Sequence, residues 1–139
     1  MKLALTFVLT AVALVLAAPA AASPSIRSIL GDWSGTLHQR GSAVGEVSFR
    51  IHRSGSSTPT GRVTYRGLDC AGRWTFLGLD RTGTVFRFRE EITHGASRVC
   101  KGVGVVRLRP LDRRALAYRW TDGHLISAAT ASRHPASKP

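Results

Sequence analysis

Acid is scarce in this chain, and lysine is scarcer still. Eight Asp and Glu stand against 20 Lys and Arg, of which only three are Lys, for a formal net charge of +12. So few carboxylates leave little material for paired acid–base chemistry or for a carboxylate metal cage. Cysteine is limited to Cys70 and Cys100. No CxxC exists, which excludes a zinc ribbon or a thioredoxin-like redox pair. The five histidines, His38, His52, His94, His124 and His134, form no HxH or HExxH pattern. They read as scattered surface residues, and neither a metal nor a cofactor is expected. No G-x-S-x-G elbow is present, and no catalytic residue is nominated. The 139 residues allow one domain, which excludes a multi-domain enzyme or a polytopic membrane protein.

One apolar run is present, at the N-terminus. Lys2 supplies a positive charge, Leu3 to Ala18 are apolar apart from Thr6 and Thr10, and Pro19 ends the run before Ala20-Ala21-Ala22. A run of roughly 16 residues is shorter than the ~20 that span a bilayer. Met1 to Ala22 therefore read as a cleaved secretory signal, and the expected location is extracellular. Export makes a Cys70–Cys100 disulfide the default. A bond closing a loop of that length contributes about 3–4 kcal/mol in the chain-entropy account, and it removes any cysteine nucleophile.

Beyond the signal, the pattern has period two. Trp33, Gly35 and Leu37 alternate with polar residues, as do Val47, Phe49 and Ile51 and then Gly61, Val63 and Tyr65. Cys70 to Phe76, Phe86 to Ile92, Val106 to Leu108 and Leu116 to Trp120 follow, with a weaker segment from about Leu125 to Arg133. That makes eight half-buried strands. Turn clusters such as Arg40-Gly41-Ser42 and Thr121-Asp122-Gly123 separate them. The links are short, so neighbours run antiparallel. Ser25 to Leu30 offers one short helical turn. The prediction is an all-β, eight-stranded up-and-down barrel over Ser23 to Arg133, with a β-sandwich as the alternative. A disordered tail is expected over His134 to Pro139. The interior glycines, Gly35, Gly61, Gly72 and Gly104, are expected to permit sharp coiling.

Two resemblances rest on these residues. Gly31-Asp32-Trp33 opening the first strand, with Arg133 in the last, resembles the calycin-type barrels of the lipocalin and avidin superfamily. That likeness implies a structural role for Gly31, Trp33 and Arg133, with the Trp plugging one end and the Arg packed across it. A second likeness spans nearly all the rest of the chain. It is carried by Gly31-x-Trp33-x-Gly35, Thr60 to Tyr65, Leu68-x-Cys70-x-Gly72, Phe88 to Ile92, Cys100-x-Gly102 and Leu116-x-Tyr118-x-Trp120. It is similar to small two-cysteine β-domains of secreted bacterial proteins, also found outside the membrane on some serine/threonine kinases. It implies an extracellular sensing or binding module and brings no ligand or catalytic residue.

Glu90 shares the core phase of Phe86, Phe88 and Ile92. A buried carboxylate needs a partner or retains its proton. Tyr118 and Arg133 are the candidate inward partners, and a β-bulge turning Glu90 outward is the alternative. If the barrel holds a pocket, it is expected near Trp74, Phe88, Glu90 and Tyr118. Nine arginines (Arg50, Arg62, Arg66, Arg73, Arg87, Arg89, Arg107, Arg109 and Arg119) occupy the polar phase and should stud the outer wall. Such a wall attracts anionic envelope polymers or lipid head groups. Aromatics sit on the opposite phase, which argues against nucleic-acid recognition. The expectation is a monomeric, non-enzymatic binding module for a small apolar ligand or an extracellular macromolecule. A basic envelope-associated protein and a barrel-mouth hydrolase or isomerase are the alternatives.

Overall fold

Alternating side chains leave each strand one apolar face, and a sheet hides eight such faces, and both of its edges, by closing on itself. The computed structural model describes residues 22–135. A 3-10 turn at Ile26–Ser28 precedes eight strands: β1 Gly31–Gln39, β2 Ser42–His52, β3 Thr60–Arg66, β4 Cys70–Leu79, β5 Phe86–His94, β6 Val103–Pro110, β7 Ala115–Thr121 and β8 Ile126–Arg133. Each pairs antiparallel with the next, and β8 returns to β1 with Trp33 opposite Arg133 and His38 opposite Ala128. The sheet is thus a closed up-and-down barrel, not a sandwich. The segment read as a signal lies outside the described residues apart from Ala22, and so do residues 136–139 of the tail. His134, placed in that tail, donates its backbone N–H to the Asp32 carbonyl at 2.8 Å.

The first hairpin shows how the turns follow from sequence. Arg40 and Gly41 both have positive φ, 50° and 81°. Two such residues make the tight turn whose twist matches the flanking strands.

The end carrying the N-terminus is sealed. Ile29 is fully buried, and its carbonyl accepts the Trp33 indole N–H at 2.9 Å. The Arg133 guanidinium lies 4.2 Å over the Trp33 ring and donates to the carbonyls of Arg113, Leu30 and Ser28 at 3.0, 2.5 and 2.9 Å. Gly31, at φ 116°, passes beside it, where a Cβ would stand 3.0 Å from Arg133 Nη1. This arrangement is compatible with a small calycin-like β-domain. At the opposite end the Cys70–Cys100 disulfide ties the start of β4 to the β5–β6 loop.

The interior is filled from several sides. Trp33, Phe49, Trp74, Phe86, Phe88 and Tyr118 all point inward, and β8 contributes only Ser127, Ala129 and Ala131. Those short side chains leave space for the long ones opposite. The four interior glycines divide into two kinds. At Gly35 and Gly72 a Cβ would meet backbone of the neighbouring strand, Thr130 and Glu91 respectively, as coiling requires. At Gly61 and Gly104 it would meet the rings of Trp74 and Trp120. These two make room for indoles, which corrects the expectation that all four serve coiling.

Candidate functional site

Closing the sheet brings together residues from strands that are not neighbours. Glu90 on β5 is 1% exposed, so it does not turn outward at a bulge. Its Oε2 accepts the Trp74 indole N–H at 2.7 Å and the Tyr65 hydroxyl at 2.5 Å. The Tyr65 and Tyr118 hydroxyl oxygens lie 2.8 Å apart. Tyr65 has one proton and gives it to Glu90, so Tyr118 donates to Tyr65. The chain Tyr118–Tyr65–Glu90 thus crosses from β7 through β3 to β5. Every tyrosine in the protein belongs to it.

Burial governs the charge of these groups. Desolvation raises the Glu90 pKa above the ordinary 4.5, against the hydrogen bonds from Tyr65 and Trp74, which lower it. Both phenols are pushed well above 10.0, first by burial and then by each other and the Glu90 charge for Tyr65, and by burial and Glu90 for Tyr118. The Trp120 indole nitrogen is buried and closes no hydrogen bond. It lies against Gly104, the residue paired with Glu90 across the β5–β6 ladder.

The four residues nominated as a pocket do meet. Trp74 packs on Phe88 with centroids 5.7 Å apart and on Tyr118 at 6.2 Å. All four are buried. Only Glu90 and Tyr118 reach the cavity at this end, which also touches Tyr65, Trp120, Cys100 and Lys101 and measures about 20 Å³. That is space for about one water molecule. Of the two expected partners of Glu90, Tyr118 is one step removed and Arg133 lies at the sealed end, on carbonyls. Arg133 is therefore not a partner of Glu90. The direct partner missed in sequence is Tyr65. Its core phase and its place at the end of β3, opposite Cys70, were the available signals, but period-two reading gives faces and not which residues meet across an interior.

The outer wall carries the second feature. All nine arginines alternate with buried positions, with Arg87 and Arg107 half-covered and the others exposed. Register lines them into rows. Arg50, Arg62 and Arg73 stand directly opposite one another across β2, β3 and β4, and Arg87, Arg107 and Arg119 do so across β5, β6 and β7. Like charges facing across a ladder repel. The first row is closed by acid at both ends, with Arg50 on Asp32 at 2.5 Å and Arg73 on Glu91 at 3.1 Å. The second has one carboxylate, Asp80, 3.2 Å from Arg107.

Among the described residues, no group of His, Cys, Asp and Glu is placed to hold a metal ion. Among known proteins, no family model, no curated protein and no solved structure matches this chain.

Proposed function

We propose that this protein is a secreted, non-enzymatic binding module that recognises anionic polymers through the outside of its barrel. The filled interior carries this reading. A ligand carrier encloses several hundred cubic ångströms, whereas the space beside Glu90 is about 20 Å³. A hydrolase or isomerase at the mouth would need room for a substrate at that same carboxylate. The net charge of +12 supplies long-range attraction for polyanions. A disulfide fits an oxidising compartment, in keeping with the signal-like N-terminus. The likeness to two-cysteine extracellular domains supports a sensing or binding role over catalysis.

The test is a pair of titrations on the oxidised protein. Binding to an anionic polymer is expected to weaken steeply between about 50 and 200 mM salt. A fluorescent fatty acid is expected to show no saturable uptake. Stoichiometric, salt-insensitive binding of the fatty acid would instead identify an interior carrier and overturn the proposal.

A further inference from the structure

The two arginine rows differ in what lies beside them. Next to the second row is a groove of about 690 Å³ that runs over the outside of β6, β7, β8 and β1. Arg107, Arg109 and Arg119 form its basic side, and His38 stands at the β1 margin. Its floor is made of small side chains, Thr36, Ala117, Ala128 and Thr130. Four adjacent strands span about 14 Å, enough for several charges of one chain in place of a single ion. Arg109 and Arg119 have no carboxylate within salt-bridge distance among the described residues. The Arg87 Nε, in the same row, is cut off from solvent and unpartnered. Asp80 answers Arg107 alone, so among the described residues Arg109 and Arg119 keep an uncompensated charge next to a trough that a thin polymer fits.

Resting on the outer-wall reading above, we infer that this groove is a binding site for a linear, ring-free polyphosphate chain. The guanidinium fork pairs bidentately with phosphate oxygens, and the Thr36 and Thr130 hydroxyls supply further donors at the floor. The lining decides against nucleic acid. Single-stranded nucleic acid is held largely by stacking its bases on aromatic platforms, and no Phe, Tyr or Trp side chain lies on the groove's exposed floor, where Tyr118 belongs to the buried core. The first row offers no equivalent, because Asp32 lines the hollow beside Arg50 and Arg62.

Inorganic polyphosphate is the probe, titrated into the oxidised protein at several salt concentrations. Arg109→Gln with Arg119→Gln is expected to weaken binding roughly tenfold and to lower the log–log salt slope by about two. Arg109→Lys with Arg119→Lys keeps the charge and loses the fork, so it falls between. Arg62→Gln with Arg89→Gln removes the same charge from exposed positions elsewhere and is expected to change affinity less than about threefold. Unchanged thermal midpoints show that each variant is folded. Equal losses from the groove pair and the control pair would overturn the groove while leaving outer-wall recognition standing. Polygalacturonate or single-stranded DNA binding as tightly as polyphosphate, with the same sensitivity to the groove pair, would overturn the phosphate assignment. No polyphosphate binding at about 50 mM salt would overturn both the site and the reading it rests on.

Discussion

Glu90 concentrates the polar chemistry of the interior, and its raised pKa makes a definite statement about stability. A carboxyl whose proton is held more tightly in the folded than in the unfolded chain stabilises the fold only while protonated in both. That contribution is complete below the ordinary 4.5 and is lost as pH climbs through the higher folded value. Unfolding free energy should therefore decline with rising pH from about 4.5 upward. Asp80 and Asp122 act in the opposite sense and at lower pH. The Thr82 hydroxyl on Asp80, and the Leu125 and His124 backbone amides on Asp122, hold them below 3.8. Glu90→Gln keeps an acceptor for the Trp74 and Tyr65 donors and removes the charge. Urea unfolding of Glu90→Gln is expected to lose the decline above pH 4.5 and to match or exceed the parent stability at pH 7. Glu90→Ala leaves those donors buried without an acceptor and should cost about 2–3 kcal/mol or more. A parent profile that rises across this range would show that Glu90 is charged and well satisfied. Its burial was legible from strand phase alone. Its partners were not, because Trp74 is set opposite it by the β4–β5 register and Tyr65 reaches it from β3 across the curved inner face, and neither register nor curvature is written in strand phase.

At the level of the strand, the glycines show which part of the packing the sequence conceals. Gly104 begins the inward phase of β6, and a Cβ there would overlap the Trp120 indole. Gly102, two residues earlier, has nothing within 4 Å. Gly104→Ala is expected to destabilise by about 1–3 kcal/mol through overpacking. Gly102→Ala should stay within about 0.5 kcal/mol. Chemical denaturation of the two single variants checks the contrast, and equal effects would place the cost in strand propensity and not in the indole. Both glycines look alike in sequence, since a period-two pattern marks a small residue but not the large one that leans over it. The strands themselves were easier to read, because Phe, Trp, Val and Leu alternate with Arg in most of them. β8 was weakest: its inward residues are Ser127, Ala129 and Ala131, too small to give contrast against their outward neighbours.

Across the whole molecule, closure in sequence order follows from short links and from one apolar face per strand, and both can be read before any coordinates. Whether the barrel is hollow cannot, since it depends on how far side chains reach across the axis. Here the long ones from β1 to β5 and β7 meet the short ones of β8 and fill the space. Stability then depends on holding the less sealed end together. The sealed end has Trp33, Arg133 and Ile29. The other end has the disulfide, both of whose cysteines are buried, and the β5–β6 loop that it anchors. Ser97 steadies that loop, its N–H donating to the Cys100 carbonyl at 2.8 Å and its hydroxyl accepting the Cys100 N–H at 3.2 Å. These hydrogen bonds are local, and although Gly95 at the start of the loop lies against the Asp69 and Cys70 backbone, the sulfur bond is what ties its far end to β4. Replacing both cysteines with alanine should therefore lower unfolding free energy by about 3–4 kcal/mol, a large part of the 5–15 kcal/mol typical of a domain. The barrel is closed by its own ladders, so far-ultraviolet circular dichroism of the variant should keep the parent β signature while its urea midpoint falls. A midpoint left unchanged would mean that the loop contributes no closure entropy, and a lost β signature would mean that the covalent tie, and not the hydrogen-bonded ring, holds the sheet shut.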